Sequence, residues 1–426
     1  MKIAYIVPGT GEAFYCGNCL RDSSFIKAFQ KAGHEIITVP MYLPLTLKED
    51  VNRAVSPIFY GAVNLYLKQQ SPVFKKLPKF ISNWLNSMPV LKFAARKAGS
   101  TRSEGLEEMT LSMLRGENGN QAAELQVLIN WLNNNYKPDV VHLSNALLIG
   151  MAPEIKKKTG AKVICSLQDE DEWVDEMRTE YQQKTWDLIL EKSAFVDAFI
   201  AVSHYFKKLI LSKISVPENK IHVVYNGVNP DFYSIIPDKN TLHSIGYLSR
   251  IFPPYGLDIL VDAFLFLKKD KNHNDLSLKI SGGYTKDDLP FLKGIKKKLK
   301  EQGQEKNVFF YEDFSEQAKK EFLNSISIFS VPARRKEAIG MHLLEAMASG
   351  VPVIQPDHGA YSEIINATNA GLLYSPNTAE ALAETLNRVL TENELYRTLQ
   401  ANCRQGINVY FNSVKQVQEL YKIYSR

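Results

Sequence analysis

Short runs of apolar and β-branched residues alternate with longer helical patterns along nearly the whole chain. In the first half, six such runs predict strands: IAYIV from Ile3, EIITV from Glu35, DVVHL from Asp139, KVICSL from Lys162, AFIAVS from Ala198 and IHVVY from Ile221. The second half has six more: HSIGYL from His243, LSLKIS from Leu276, NVFFY from Asn307, ISIFSV from Ile326, VPVIQ from Val351 and GLLY from Gly371. Near-continuous apolar strands separated by helices are typical of parallel sheets that are covered on both faces. The pattern therefore predicts an α/β protein with two doubly wound, Rossmann-like domains.

Glycines and prolines mark the ends of these elements. KAGHEI, KTGAKV and ASGVPV each have a glycine where a helix should end and a strand begin, and NPDFYSIIPDKN from Asn229 has the turn formers of a linker. We predict an N-terminal domain over residues 1–230, a C-terminal domain over 242–405, and a helix over 406–426 that packs back on the N-terminal domain. Doubly wound sheets bind ligands at the carboxyl ends of their strands, so we expect a site in a cleft where the two domains face each other.

Composition places the chain among ordinary soluble proteins. It has 426 residues, 45% hydrophobic and 23% charged, which suits two domains. Four cysteines are too few for a disulfide framework and favour a reducing compartment. We see neither the apolar core of a signal peptide nor a run of roughly 20 apolar residues, the length that spans a bilayer. We therefore expect a cytoplasmic protein.

Charge is unevenly distributed. Residues 51–103 contain no Asp or Glu but nine Lys and Arg, interleaved with aromatic residues such as Phe74, Phe80 and Trp84. This basic insertion favours either peripheral contact with the inner face of an anionic membrane or a solvated segment packed on the domain below it. The lysines from Lys293 to Lys300 are typical of the wet face of a helix, and we expect no nucleic acid partner.

The stretch EAIGMHLLEAMASGVPVI, from Glu337 to Ile354, has two carboxylates around a predicted helix start. Glu337 lies in the loop at the carboxyl end of the strand ISIFSV, and Glu345 lies about a turn into the helix. A helix start offers free amides and a positive dipole end that favours a phosphate. The amides in question belong to Gly340, Met341, His342 and Leu343. The spacing fits a nucleotide sugar, held by Glu337 at the sugar and by Glu345 at the ribose; the alternative is an acidic helix start that exists for dipole reasons alone.

These residues, with FSVPA before and GVPVI after them, resemble the donor-site motif of the family-4 retaining glycosyltransferases, which have the GT-B fold. That motif is a glutamate, seven residues, and a second glutamate in a helix that ends in a small residue and glycine. Three further stretches resemble the family in the right order, so the resemblance covers essentially the whole chain: NGVNPDFY from Asn226, FIAVSHYFKK from Phe199 and YCGNCLRDSSFIKAFQKAGHEI from Tyr15.

The resemblance implies transfer of a sugar from a nucleoside diphosphate sugar, with UDP or GDP expected, to a hydroxyl acceptor that is a glycan, a lipid-linked molecule or a small molecule. No cofactor and no metal are expected. Glu337 would stabilise charge at the anomeric carbon, and Arg250 would neutralise the leaving diphosphate. Glu345 would bind the ribose, and Gly17 would face the phosphates.

The amides of Gly340, Met341, His342 and Leu343 would receive the sugar and the diphosphate, and Asn226 belongs to the linker motif and is expected at the substrate. Two positions depart from the family. Tyr255 stands where a lysine is common, and Gln168 stands where a histidine is common; both are expected to contact substrate. These departures leave open a catalytically degenerate nucleotide-sugar-binding protein, and the fold leaves open an epimerase. Phosphorylases of this fold need a cofactor lysine region that we do not find in the sequence.

Two further patterns suggest metal or redox chemistry but are better explained otherwise. Cys16 and Cys19 form a CxxC without the second pair that zinc needs. The acidic run Asp169 to Glu172 is interpreted as an acceptor-side or loop feature.

Overall fold

The computed structural model describes residues 1–8, 17–41, 59, 103, 105–235, 243–313 and 315–426, and the side chains of Asn18 and Cys19 are not described. The basic insertion, apart from residues 59 and 103, lies outside these residues, as does Cys16. Within the described ranges, none of the helices is both long and apolar enough to cross a membrane.

All twelve predicted strands are present. They are β1 (Lys2–Val7), β2 (Glu35–Pro40), β3 (Val140–Leu143), β4 (Lys162–Leu167), β5 (Ala198–Ala201), β6 (Ile221–Val223), β7 (Ser244–Leu248), β8 (Ser277–Ser281), β9 (Val308–Tyr311), β10 (Ile328–Phe329), β11 (Val353–Pro356) and β12 (Gly371–Tyr374).

Helices connect these strands. They are α1 (Gly17–Lys31), α2 (Glu107–Leu114), α3 (Ala122–Trp131), α4 (Ala152–Thr159), α5 (Glu170–Asp175), α6 (Thr179–Lys192), α7 (His204–Lys213), α8 (Leu257–Leu267), α9 (Leu289–Glu301), α10 (Glu316–Asn324), α11 (Met341–Ala348), α12 (Ala360–Thr368), α13 (Ala379–Thr391), α14 (Asn393–Tyr410) and α15 (Ser413–Ser425). Short 3₁₀ helices include Ala146–Met151, Pro230–Phe232, Pro253–Tyr255 and Lys286–Asp288.

The chain forms two compact units. Unit 1 consists of Met1–Glu12, Phe25–Val224 and Val417–Arg426, and unit 2 consists of Ala13–Ser24 and Tyr225–Gln416. The predicted ranges 1–230 and 242–405 overlap with these units without coinciding with them. Residues 406–416 of the predicted C-terminal segment belong to unit 2 and residues 417–426 to unit 1.

Each unit contains one six-stranded sheet in which all pairings are parallel. Unit 1 has the order β2-β1-β3-β4-β5-β6, and unit 2 has the order β12-β11-β10-β7-β8-β9. The predicted α/β class with two doubly wound sheets is confirmed. Parallel sheets of this kind are buried on both faces, which explains why the strands are apolar almost without alternation.

The end of α15 is part of the core of unit 1. Val417, Leu420 and Tyr424 are buried among strand and helix residues of that unit. The Tyr424 ring stacks on Phe29 at 5.5 Å between ring centres, and its hydroxyl is hydrogen-bonded to the buried His142. Buried polar groups need such partners because an unpaired one costs about 1–3 kcal/mol. The last ten residues therefore supply three side chains to the core of unit 1.

Candidate functional site

The strand order of unit 2 reverses between β7 and β10, and this is where doubly wound sheets bind ligands. Ile328 pairs with Ile245, and Phe329 pairs with Gly246. Gly246 accommodates the side chain of Ile326, which a Cβ at residue 246 would meet at 2.3 Å. The loops that follow β7 and β10 carry Arg250 and Glu337, so the sheet topology places the two predicted catalytic residues at the same edge of the sheet of unit 2.

Arg334 ties these two loops together. Its backbone amide donates to the carbonyl of Pro254 at 2.7 Å, and its guanidinium donates to the carbonyl of Pro253 at 2.7 Å. The same guanidinium forms a fork with Asp258, at 2.8 and 2.6 Å. Arg334 therefore serves as a link between loops, and its charge is balanced by Asp258.

The loop after β10 is also fixed from its other side. The carbonyl of Ala333 accepts from Nδ2 of Asn377 at 2.9 Å and is hydrogen-bonded to Nε2 of His358 at 3.0 Å. Burial lowers the pKa of His358, so the ring is neutral at neutral pH and acts as a hydrogen-bond donor to this carbonyl.

Glu337 is 9% exposed, and the start of α12 abuts its backbone. The amide of Ala360 donates to the Glu337 carbonyl at 2.8 Å. Gly359 precedes it with φ +60° and ψ −148°, a conformation essentially restricted to glycine. A Cβ on Gly359 would meet the carbonyl oxygen of Glu337 at 2.6 Å and its nitrogen at 2.9 Å. The position of Glu337 therefore depends on residue 359 being glycine.

Helix α11 begins as the sequence predicts, with Gly340 at the N-cap in the left-handed region at φ +70°. One detail differs from the expectation of free amides up to Leu343. The Leu343 amide donates to the Gly340 carbonyl at 3.0 Å because the first turn is tightened in the 3₁₀ manner. His342 is buried and hydrogen-bonded to the Tyr361 hydroxyl at 3.0 Å. Burial lowers the pKa of His342 to about 3, so its ring is neutral and brings no charge to a ligand.

Glu345 lies inside unit 2 with a charged partner. Only 2% of the residue is exposed, and its Oε1 forms an ion pair with Lys319 of α10. The same oxygen accepts a hydrogen bond from the Tyr233 hydroxyl at 2.8 Å. Burial and the nearby charge of Glu345 raise the pKa of Tyr233 well above its ordinary value, so the phenol remains a neutral donor.

Arg250 is held in a buried fork. Its Nε and Nη2 donate to the two carboxylate oxygens of Asp288 at 3.0 and 3.1 Å, and Nη2 also donates to Thr285 at 3.2 Å. The guanidinium lies 4.5 Å from the ring centre of Phe252. Thr285 and Asp288 form a capping box at the short helix Lys286–Asp288. Arg250 is therefore oriented by the fork, and Asp288 balances its charge.

Tyr255 ends the 3₁₀ helix Pro253–Tyr255 and is half-buried. The guanidinium of Arg335 lies 5.8 Å from its ring centre. Gly256, which follows, contacts the next loop so closely that a Cβ would meet the Pro332 carbonyl at 1.9 Å. A cation therefore lies over the aromatic ring at the position where the family commonly has a lysine.

Gly17 and Asn226 also belong to unit 2. A Cβ on Gly17 would lie 3.9 Å from Cβ of Met341, so the start of α1 lies close to the start of α11. Asn226 is 2% exposed, and neither atom of its amide group has a hydrogen-bond partner among the described residues.

In unit 1, Gln168 follows β4 and is 3% exposed. Its Nε2 donates to the Ser144 carbonyl at 2.6 Å. Glu170 joins the loops after β3 and β4, since its two oxygens accept from the amides of Ala146 and Gln168, both at 2.7 Å. Burial raises the pKa of Glu170 to about 8, although these amide bonds oppose the rise.

Side chains of the acidic run Asp169 to Glu172 lie in different environments. Glu170 is turned inward, whereas burial and the charge of Asp169 raise the pKa of the neighbouring Asp171 to about 6. In the part of the chain that the structure describes, no group of three or more His, Cys, Asp or Glu side chains could hold a metal ion.

Sequence reasoning missed Lys319, Tyr233, Asp288 and Gly359. A signal existed for Asp288, because TKDD from Thr285 is a capping-box sequence. A second signal existed for Lys319, because the apolar spacing of α10 with Phe322 and Leu323 calls for an apolar residue at 319.

Two family models match adjacent parts of the chain. The model described as glycosyl transferases group 1 matches residues 235–406, and the model described as glycosyltransferase family 4 matches residues 105–232. Together they cover well over half of the chain.

Relatives and solved structures agree with these models. Glycosyltransferase 1 domain-containing protein 1 of Xenopus tropicalis is 26% identical over 244 residues, 55% of this chain and 68% of the relative. The capsular polysaccharide biosynthesis glycosyltransferase CapM of Staphylococcus aureus is 27% identical over 259 residues, 56% of this chain and 64% of the relative. The chain thus spans about two thirds of the length of these curated relatives. The crystal structure of Anabaena HepE in complex with UDP superposes with a TM-score of 0.71 at 15% identity and covers all of both chains, a likeness of fold.

The two matching models, the order of the motifs and the two doubly wound sheets agree with one another, and the chain belongs to the family-4 glycosyltransferases of the GT-B fold.

Proposed function

We propose that this glycosyltransferase transfers a sugar from a nucleoside diphosphate sugar to a hydroxyl acceptor with retention of the anomeric configuration. The observation that carries the proposal is the arrangement around α11 in unit 2. Glu337 precedes the helix, Glu345 lies within it, and the first amides of the helix lie between them.

Each group has a role in this proposal. The diphosphate lies at the start of α11, where the amides of Gly340, Met341 and His342 and the helix dipole favour negative charge. Glu345 accepts hydrogen bonds from the ribose. Glu337 binds the sugar hydroxyls and stabilises positive charge at the anomeric carbon as the bond to the diphosphate breaks.

Arg250 stabilises the charge that develops on the leaving diphosphate. A guanidinium that is already oriented does this without reorganising during the reaction, which is the main source of electrostatic catalysis. The fork with Asp288 supplies that orientation. We further propose that helix amides and these cations replace a metal ion, so that activity persists in EDTA.

UDP is the first nucleotide to test, because HepE, which shares the fold, was crystallised with UDP and with UDP-glucose; GDP is the second. The acceptor is proposed to be a carbohydrate, a lipid-linked molecule or a small molecule. Gly17, Asn226, Gln168 and Tyr255 are proposed to contact the substrates. A cytoplasmic location with peripheral membrane contact through residues 51–103 remains a separate proposal, tested by sedimentation with anionic liposomes at low salt.

A second candidate function is that of a protein that binds a nucleotide sugar but no longer catalyses transfer of the sugar. The charge of Arg250 is balanced by Asp288, and a tyrosine stands at position 255. Both features reduce the positive charge available to a leaving diphosphate.

Calorimetry and hydrolysis separate the two candidates. UDP, GDP and ADP are titrated into the wild type and into Glu345→Ala, with the exposed Glu321→Ala as the matched control. Hydrogen bonds to a carboxylate contribute about 1.5–3 kcal/mol, so Glu345→Ala should weaken nucleotide binding about tenfold or more. Unchanged affinity in Glu345→Ala counts against the donor site.

Turnover is then measured as slow hydrolysis of the sugar nucleotide that binds. Hydrolysis in the wild type that disappears in Glu337→Gln supports the enzyme, and the anomer of the first product, read by NMR, tests retention. Tight binding without turnover on any acceptor supports the binding protein.

A further inference from the structure

The carboxylate of Glu345 is enclosed by two side chains from distant parts of the sequence. Lys319 on α10 is 4% exposed, and Tyr233, which follows the 3₁₀ helix Pro230–Phe232, is 7% exposed. The ammonium of Lys319 and the hydroxyl of Tyr233 both bind Oε1 of Glu345. Two donors on one oxygen fix the orientation of the carboxylate group.

Stability does not explain this arrangement well. A buried ion pair is often no more stabilising than apolar residues of similar volume, because both ions lose their hydration. On α10, residues 319, 322 and 323 share one face, and Phe322 and Leu323 are buried apolar residues. An apolar residue at 319 would continue that face. A break in a local pattern without a gain in stability is expected at functional sites.

The phenol of Tyr233 is itself held in place. Its backbone carbonyl accepts from Nη1 of Arg404 at 2.8 Å. The neighbouring Lys320 has a different contact, because its ammonium lies 3.2 Å from the ring centre of Phe232. The two adjacent lysines of α10 therefore have different tasks, since Lys319 contacts the carboxylate and Lys320 covers an aromatic ring.

We propose that Lys319 and Tyr233 are positioning residues that set the selectivity of Glu345 for the ribose diol of the donor nucleotide; this rests on the proposed function. A carboxylate has about four acceptor positions, so it can accept from ribose hydroxyls while Lys319 and Tyr233 hold its Oε1. A ribose that lacks one hydroxyl leaves an acceptor unmatched in a buried site, which is the condition for strong discrimination.

The test uses the affinity ratio between a nucleotide and its deoxy analogue. UDP and GDP are titrated by calorimetry alongside their 2′-deoxy and 3′-deoxy forms, in the wild type, Lys319→Met, Lys319→Arg and Lys320→Met. The wild type should bind at least one ribonucleotide about tenfold more tightly than a deoxy form, as expected for a lost hydrogen bond to a charged group.

Lys319→Met should bring that ratio close to one. Lys319→Arg, which retains the charge, and Lys320→Met, which removes a neighbouring charge, should keep it. A general loss of stability would weaken the binding of every nucleotide alike and leave the affinity ratio unchanged. The ratio therefore separates an effect on the position of Glu345 from an effect on folding.

Tyr233→Phe keeps the ring and removes one hydrogen-bond donor to Glu345. This variant tests the proposal if Lys319→Met does not fold. The ratio in Tyr233→Phe should fall about threefold, less than in Lys319→Met, because the carboxylate keeps one of the two donors that orient it. The proposal is overturned if the folded variants keep the wild-type ratio, or if Lys320→Met lowers the ratio as much as Lys319→Met. If the wild type binds no nucleotide, the proposed function fails and this proposal falls with it, whereas a wild type that binds with an unaltered ratio in the variants refutes the positioning role alone.

Discussion

Replacement of Gly359 by alanine should displace Glu337 and lower activity, although residue 359 is not among the proposed ligand contacts. The new Cβ would stand 2.6 Å from the Glu337 carbonyl oxygen, whereas an unstrained carbon-to-oxygen contact is about 3.3 Å. The Glu337 backbone must therefore move by about 0.7 Å, or α12 must retreat and stretch the 2.8 Å bond from the Ala360 amide. A displacement of about 1 Å in an active site can cost about a hundredfold in rate, so we expect kcat/KM for donor hydrolysis to fall tenfold to a hundredfold.

Stability should fall as well, and a matched glycine separates the two effects. At Gly359 the backbone conformation alone costs a non-glycine residue about 1–3 kcal/mol. Gly303 in the same unit also has a positive φ, +64°, but nothing lies within 4 Å of its Cβ position. Gly303→Ala should lower the free energy of unfolding by about 1–2 kcal/mol and leave kcat/KM unchanged. Urea denaturation and steady-state hydrolysis measure both quantities, and equal kcat/KM in the two variants would refute the argument that residue 359 positions Glu337.

Two further predictions concern buried charges. Asp288→Asn removes the charge opposite Arg250, so the free energy of unfolding should fall by about 3 kcal/mol, and loss of the fork that orients the guanidinium should lower kcat for donor hydrolysis. Urea denaturation and hydrolysis kinetics measure the two effects, and unchanged values in both would contradict the role of the fork. Burial raises the pKa of Glu170 from 4.5 to about 8, so between these values the native state keeps a proton that the unfolded chain has lost. The stability that this proton contributes is fully present below pH 4.5 and is lost as the pH rises through about 8. The free energy of unfolding should therefore fall between about pH 4.5 and about pH 8 and level off above that, and it should fall less steeply in Glu170→Gln, which cannot ionise. Parallel plots of unfolding free energy against pH for the two proteins would be evidence against this.

Local patterns were sufficient to predict the strands and the start of α11. Apolar, β-branched runs have few alternatives to buried parallel strands, and Gly340 followed by an apolar helical pattern fixes where α11 begins. Sheet order was not predictable in the same way, because it depends on which strands pair across long stretches of chain.

The partners of the predicted site residues were beyond sequence reasoning for the same reason. The rest of α10, β10 and a loop separate Lys319 from Glu345, and Asp288 lies on a short helix that follows a different strand from Arg250. A charge pair between distant segments leaves no local periodicity. The engaged amide of Leu343 was missed because a tightened first turn is a matter of backbone geometry, which residue types do not determine.

The contribution of α15 to unit 1 has a consequence for synthesis of the protein. Domains generally fold as units while the chain emerges from the ribosome. Unit 1 contains β1 and also Val417, Leu420 and Tyr424, which are translated after the whole stretch Tyr225–Gln416. The core of unit 1 therefore remains incomplete until unit 2 has been synthesised, and His142 lacks its hydrogen-bond partner Tyr424 until then. The order of translation thus favours completion of unit 2 first, although most of unit 1 is translated earlier.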